Sequence, residues 1–267
     1  MIRTIIRSFI VAIAALWLLA PAISLASHRE DTVNVDAAMK IWVATWQAPL
    51  LVGGTGEAIQ TTSSAALLGP SLTASVKTSN TEWFNRMYVN LTYLTSGGDF
   101  NFTRPSTSSF RSVTADRQDM NLIFGANIYR GFGAYMGYFG SFQNITFTPV
   151  VGTRSTANRN FNGFVAGLSA SEGISEHVNM YGNVGVSAIT QDYKSSTLGT
   201  TTVNDSAYGW SSELGLKFHG HIGQKFGVEA GLGMRAQAIL TPWKVAGKTV
   251  TYNDLTFGPM FTLGGSF

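Results

Sequence analysis

Residues 255–267 read LTFGPMFTLGGSF, and this stretch decides how the rest of the chain is interpreted. One parity holds Leu255, Phe257, Phe261, Leu263 and Phe267, and the other holds mostly small or hydroxyl-bearing residues. Strict alternation of this kind predicts a β-strand with one apolar face. The last residues of a soluble domain usually fray, so an alternating strand that reaches the final aromatic residue indicates an end held in a sheet.

The same alternation recurs along the chain, whereas helical periodicity does not. Period-two runs separated by turn-forming clusters predict ten strands, at residues 39–52, 65–79, 83–97, 117–130, 134–149, 159–172, 177–192, 207–221, 226–242 and 250–267. Most of these are long enough for the roughly 9–11 residues with which a tilted strand crosses a bilayer.

Such strands fit either a soluble sandwich with an apolar core or a membrane barrel with an apolar outer face. The connections favour the barrel. Those near 80–82, 131–133, 173–176 and 222–225 are short, and those near 53–64, 98–116, 150–158, 193–206 and 243–249 are mostly longer and polar. Short and long connections therefore alternate along the chain. A closed up-and-down barrel requires this order of connections, and a Greek-key sandwich does not. We therefore expect an all-β fold, a closed antiparallel transmembrane β-barrel of about ten strands with short periplasmic turns and long outer loops.

Aromatic residues near the predicted strand ends also support a barrel. Amphipathic rings are expected in two belts, one at each membrane interface. The belts would comprise Trp83, Tyr135, Phe218 and Phe226 near the short turns, and Tyr208, Trp210, Trp243 and Tyr252 near the long loops. In a sandwich core, aromatic residues would cluster in mid-strand instead.

The first 26 residues have the layout of a secretory signal peptide. Arg3 and Arg7 precede an apolar run, and Ser24-Leu25-Ala26 offers a cleavage site. The run is shorter than the roughly 20 residues of a spanning helix. We expect residues 1–26 to be removed, residues 27–38 to form a periplasmic N-terminal segment, and residues 39–267 to form a barrel in the bacterial outer membrane, in contact with its lipid.

Composition and motifs argue against several function classes. The chain has no cysteine, which excludes disulfides, thiol catalysis and cysteine-ligated metals. Without Arg3 and Arg7, sixteen basic residues face fifteen acidic ones and no basic block remains, so we expect no nucleic-acid partner. No GxSxG, HExxH or phosphate-binding glycine loop occurs. His219 and His221 share one strand face but supply only two ligands, so we expect no metal site, no cofactor and no enzymatic activity.

In these features the chain resembles the bacterial outer-membrane β-barrel superfamily, and most of all its small opacity-type barrels. Members of the superfamily typically have an alternating last strand that ends in Phe and is recognised by the barrel-assembly machinery. Phe257, Phe261, Leu263 and Phe267 match this pattern, and Gly265 departs from it. The resemblance implies that the assembly machinery is a partner during biogenesis. It also implies that the last strand pairs with the first.

Charged residues fall on the inward face of the eighth and ninth predicted strands. A three-residue turn at 223–225 would set Ile222 opposite Phe226. The same register places Glu213 opposite Arg235, His219 opposite Glu229 and Lys217 diagonal to Glu229, and Arg86 on the third strand can join them. Such residues suit a structural plug of charge pairs, which a narrow barrel needs to fill its interior, a selectivity constriction, or a proton-coupled site.

Three prolines fall where the barrel would close. Pro49, Pro70 and Pro259 lie in the first, second and tenth predicted strands, and proline cannot donate a hydrogen bond to a ladder. Each can occupy a strand end or a bulge. Alternatively, they weaken the closing seam and provide a lateral exit for an apolar molecule.

The predicted outer loops are polar, and the densest charge outside the barrel comprises Arg104, Arg111, Asp116, Arg117 and Asp119. Loops on a rigid scaffold are where recognition usually occurs. We expect a barrel with a narrow or plugged polar lumen and a structural, adhesive or recognition role through surface loops. The alternative is a narrow channel or transporter for small solutes or apolar molecules, and a soluble secreted sandwich is a third possibility.

Overall fold

The computed structural model describes residues 33–52, 57–78, 81–102, 110–196, 203–222, 226–245 and 248–266. Almost all of them lie in strands: β1 (Val33–Val52), β2 (Glu57–Lys77), β3 (Trp83–Ser96), β4 (Phe100–Phe102), β5 (Phe110–Tyr129), β6 (Phe132–Pro149), β7 (Ser155–Ser175), β8 (Val178–Ser195), β9 (Val203–Ile222), β10 (Phe226–Val245) and β11 (Lys248–Ser266). Within this part of the chain, no helix has the length and apolar character needed to cross a membrane.

Antiparallel pairing joins the ten long strands into a ring. The first strand, β1, pairs with β2 on one side and with β11 on the other, and β3 pairs with β5, so each of the ten long strands that the structure describes has a partner on both sides. The short strand β4 extends β3 and also pairs with β5. The fold is therefore the closed antiparallel barrel that the alternating sequence predicts, and each of the ten predicted strands is present.

The register fixes the tilt and width of the barrel. A path that steps from Val35 to its paired residue on each successive strand returns to β1 at Gln47, twelve residues further along. For ten strands with this shear, the usual strand spacing and rise give a tilt of roughly 40° and a backbone radius of about 10 Å. A lumen of this width is filled largely by side chains.

The strands are longer than predicted. We call the end of the barrel that carries Val33 and Ser266 the terminal end, and the opposite end the loop end. At the loop end, residues expected in long loops continue the strands, so that only 53–56, 150–154, 196–202 and 246–247 separate four of the strand pairs. Residues 33–38, expected in an N-terminal segment, likewise belong to β1. About 20 tilted residues rise roughly 50 Å, which exceeds the ~30 Å of a bilayer's hydrocarbon core.

Side chains alternate between an apolar outer face and a mixed inner face. On the outer face, Met136, Phe164, Val186, Leu214 and Leu263 are between 61% and 78% exposed. Nearer the loop end the same face becomes polar, with exposed Thr62, Asp116, Asn144 and Thr190. We call the first region the apolar band and the second the collar. An apolar band around a closed barrel is the arrangement expected in lipid.

Tyr135 shows how glycines shape the inner face. A Cβ at Gly167 would lie 2.4 Å from the Cζ atom of Tyr135, and a Cβ at Gly185 would lie 2.5 Å from its hydroxyl. The ring therefore occupies space that only glycine leaves free. Tyr88 packs on Gly125 in the same way, and Tyr181 packs on Gly215 and Gly233. These tyrosines project into the half of the lumen nearer the terminal end.

Candidate functional site in the barrel lumen

The predicted register between β9 and β10 is confirmed. Phe226 lies opposite Ile222, Glu213 opposite Arg235, and His219 opposite Glu229. The diagonal contact is an ion pair, with 2.9 Å between Lys217 Nζ and Glu229 Oε1. His219 Nδ1 lies 4.0 Å from the other oxygen of Glu229, and its Nε2 atom lies 3.1 Å from the side-chain nitrogen of Asn179. Lys217, Glu229 and His219, together with the Asn179 amide, thus form one connected cluster near the terminal end.

Arg235 has a different partner from the one that register alone suggests. Its guanidinium carbon lies 4.8 Å from the centre of the Trp42 ring, a cation–π contact. Among the described residues, no carboxylate forms an ion pair with Arg235, although Glu213 lies opposite it. Arg86 shares the parity of Tyr88 on β3, and it too forms no ion pair within the described part of the chain.

A cavity of about 300 Å³ occupies the lumen between these groups. Its lining is polar and charged, and includes Lys40, Tyr135, Tyr181, Glu213, Glu229 and Arg235. The side chains come from strands on all sides of the barrel. The cavity is therefore a central chamber and not a groove in the outer wall.

On the loop-end side of the cavity lies a buried cluster that we call the plug, formed by Trp42, Trp46, Arg117, Asp119, Arg159 and Asp254. Each of these side chains is at most 2% exposed. Arg117 donates two hydrogen bonds of 2.9 Å to Asp119, from Nε and from Nη2. Its guanidinium carbon also lies 5.3 Å from the ring centre of Trp46. Charge pairing and aromatic contact together stabilise this buried arginine.

Apolar side chains surround the plug. Phe100 and Phe102 of β4 meet the Trp46 ring edge-on, with ring centres 5.0 Å and 5.2 Å apart. Leu67, Leu94 and Met260 belong to the same buried cluster. This buried apolar cluster therefore packs around the plug inside the barrel.

The plug also bridges the two strands at which the barrel closes. The ladder between β1 and β11 ends with Gln47 opposite Leu255, although both strands continue. Next to this point, Arg159 on β7 reaches across the lumen and donates to the carbonyl oxygen of Pro49 on β1, at 3.2 Å, and to Asp254 on β11. Its Nε donates to Gln143 at 2.9 Å. Side-chain contacts therefore link the strands where backbone pairing stops.

The placement of Arg117 and Asp119 corrects the sequence-based prediction that counted them with the charge outside the barrel, although the predicted strand 117–130 includes both. Both lie on β5 with Val113 and Ala115, and all four are buried and inward-facing. The alternation of side chains that places these four residues on the inner face is visible in the sequence. Charged residues at buried positions are rare unless they are paired, and here Arg117 pairs with Asp119. Asp116 and Arg111 are exposed, and Arg104 lies outside the described residues.

The predicted aromatic belts are found only in part. Trp83, Tyr208, Trp210 and Phe218 are between 40% and 63% exposed, as belt residues should be. Tyr135 is not a belt residue, because it lines the cavity. Tyr252 shares the inward parity of Asp254 and Thr256. The side chains of Phe226 and Trp243 lie outside the described part of the structure.

The predicted assembly-signal residues lie on the last strand. Phe257, Phe261 and Leu263 face outward and are 36%, 45% and 65% exposed, and Phe267 lies outside the described residues. β11 pairs with β1, as the resemblance implied. Among the described residues, no three His, Asp or Glu side chains are grouped so that they could hold a metal ion.

Comparison with solved structures places this geometry among known folds. The outer membrane protease OmpT from Escherichia coli superposes with a TM-score of 0.53 and 10% identity, over 89% of this chain and 96% of that one. The translocator domain of autotransporter NalP from Neisseria meningitidis superposes with a TM-score of 0.51 and 11% identity, over 96% of each chain. The chain has the fold of bacterial outer-membrane β-barrels. At these identities the likeness concerns the fold alone. No family model and no curated protein matches the chain.

Proposed function

We propose that the protein is an integral outer-membrane barrel with a closed lumen, and that it acts through its loop end in a structural, adhesive or recognition role. The plug carries this proposal. Trp42, Trp46 and Arg117 have no exposed surface and lie across a barrel with a backbone radius of about 10 Å. Delivery after removal of residues 1–26, insertion by the barrel-assembly machinery and contact with outer-membrane lipid belong to the same proposal.

The collar supports a role at the loop end. Its strands continue past the apolar band, and their ladders hold them in place, with β5 and β6 paired as far as Phe110 and Pro149. Val151, in the connection that follows, is 89% exposed. Residues displayed on a rigid scaffold are well placed for recognition. The absence of enzymatic activity stays a prediction.

Conductance across a planar bilayer tests the closed lumen. Purified protein should insert without producing single-channel steps, and liposomes that contain it should exclude small sugars. Trp46→Ala together with Arg117→Ala removes the centre of the plug and should produce steps if the variant still inserts. Defined steps from the unaltered protein that change on Arg235→Gln or Glu213→Gln would contradict the proposal and support the narrow channel instead.

Epitope insertion tests which end is displayed. A tag inserted after Gly152, at the loop end, should bind antibody on intact cells. The matched control is a tag after Glu176, in the turn between β7 and β8 at the terminal end, which should bind antibody only after the outer membrane is permeabilised. The reverse pattern would show that the terminal end faces outward.

A further inference from the structure

Two Gly-Pro dipeptides interrupt the barrel wall, Gly69-Pro70 in β2 and Gly258-Pro259 in β11. At each one, two residue pairs are missing from a ladder whose register is otherwise unchanged. Between β1 and β11, pairing stops at Trp42–Met260 and resumes at Thr45–Phe257; between β2 and β3, it stops at Leu68–Thr95 and resumes at Ser71–Thr92. In the described strands, the other ladders shift only near strand ends.

The chemistry of the dipeptides explains the missing pairs. Proline has no N–H to donate across the ladder. The preceding glycine allows the strands to stay close, since a Cβ at Gly258 would lie 2.0 Å from the carbonyl oxygen of Val43, and a Cβ at Gly69 would lie 2.0 Å from that of Tyr93. Gly258 also has a φ of 154°, in the positive region that favours glycine.

The two interruptions lie on either side of the β1–β2 hairpin, at nearly the same position along the barrel axis. Because the register climbs twelve residues over ten strands, the two positions lie within about 5 Å of each other along the barrel axis. Between them, the β1–β2 ladder is unbroken from Val33–Val76 to Val52–Glu57. The hairpin is therefore a continuous unit with an interrupted ladder on each flank.

The weaker flank is the one between β1 and β11. Its ladder has the internal interruption and also ends at Gln47, whereas the β10–β11 ladder is continuous up to Val245–Lys248. In hydrocarbon, backbone hydrogen bonds are what hold a barrel wall closed. Opening motions should therefore concentrate at this seam, with the β2–β3 interruption as the hinge.

The lumen behind the seam combines apolar groups with side chains of both charges, since Asp36, Glu213 and Glu229 line the cavity together with Lys40, Lys217 and Arg235. Trp42, Leu67 and Met260 form a buried apolar surface next to the interruptions. Lys40 and Arg235 line the adjoining cavity, and among the described residues neither forms an ion pair. An acidic head group with an apolar tail matches this arrangement.

We propose that the β1–β2 hairpin is a lateral gate that admits a single-chain acidic amphiphile, of the fatty-acid type, between the bilayer and the lumen. The head group binds at Lys40 and Arg235, and the tail lies along Trp42 and Met260 towards the open seam. This inference does not depend on a recognition role at the loop end.

Amide exchange of the protein in detergent tests the gate itself. The amides of Val43 and Tyr93, which face Pro259 and Pro70 across the two interruptions, should exchange at least tenfold faster than those of Gly185 and Val186, which lie in unbroken ladders. Pro259→Ala supplies the missing N–H and should slow exchange at the seam. Equal protection from exchange at the interruptions and at Gly185 and Val186 would overturn the proposal.

Native mass spectrometry with oleic acid tests the ligand. Ile41→Cys with Phe261→Cys places a cysteine pair across the seam, and Leu214→Cys with Met234→Cys is the matched pair between β9 and β10. Oxidising the seam pair should reduce oleate retention at least tenfold, and oxidising the control pair should leave it unchanged. Lys40→Gln should also weaken retention. Equal retention by the oxidised and reduced seam pair, or equal retention of oleyl alcohol and oleate, would contradict the proposal.

Discussion

The indole nitrogen of Trp46 on β1 donates a 2.8 Å hydrogen bond to Asp254 on β11, beside the last residue pair of the ladder that closes the barrel. Asp254 also pairs with Arg159 from the opposite wall, and both of these side chains are 2% exposed. Backbone pairing closes the barrel within the apolar band. In the collar, this side-chain network takes over that role.

Asp254→Ala should destabilise the barrel strongly. It leaves the buried Arg159 without its carboxylate, and breaking a buried ion pair typically costs about 3–5 kcal/mol. The measurement is the urea midpoint of the folded band on an unheated denaturing gel. Arg130→Ala is the control, since the Arg130–Glu82 pair is 62% and 56% exposed and a solvent-exposed ion pair contributes little to stability. A similarly small decrease in the urea midpoint for both variants would show that the side-chain network at the seam contributes little to the stability of the barrel.

Gly185→Val should destabilise the barrel by about 1–3 kcal/mol, because the new side chain overlaps the Tyr135 hydroxyl. Thermal unfolding monitored by circular dichroism measures the loss. Tyr135→Ala removes the overlapping ring, so the double variant should be more stable than the two single losses added together. Simple additivity would mean that the two residues do not share the space.

The turns at the terminal end should show a pH-dependent contact. A hydrogen bond from Arg130, 3.0 Å from Glu82 Oε1, lowers the pKa of the Glu82 carboxyl below its ordinary value. The stabilisation from the Arg130–Glu82 contact is therefore present above the unfolded carboxyl pKa of about 4.3. It is lost as the pH falls through the lower pKa that Glu82 has in the folded protein. Wild type and Glu82→Gln should differ in melting temperature at pH 7 and converge in strong acid. A difference that persists at pH 2 would rule out this electrostatic origin.

The alternating pattern was enough to predict the closed barrel, its strand number and the register of β9 against β10. These depend on local rules: side chains repeat every two residues, and a short turn fixes which residues face each other. On that basis the sequence alone pairs Lys217 with Glu229.

The plug could not be predicted in the same way. Trp46, Arg117, Arg159 and Asp254 come from four strands that are distant in sequence, and they meet only because the barrel closes around them. Tyr135 was misplaced for a related reason. Its inward space depends on Gly167 and Gly185 of two neighbouring strands, and one strand's pattern does not reveal it.

Accessibility of nitroxide labels to oxygen dissolved in the bilayer tests the central claim most directly, namely that the apolar face points outward into lipid. Labels at Leu214 and Val186, which are 61% and 66% exposed, should collide frequently with lipid-phase oxygen, and a label at Ser211, which lines the cavity, should not. If labels at Leu214 and Val186 were instead shielded from lipid-phase oxygen and tightly packed within protein, the apolar band would be a buried core and the membrane-barrel account would be wrong.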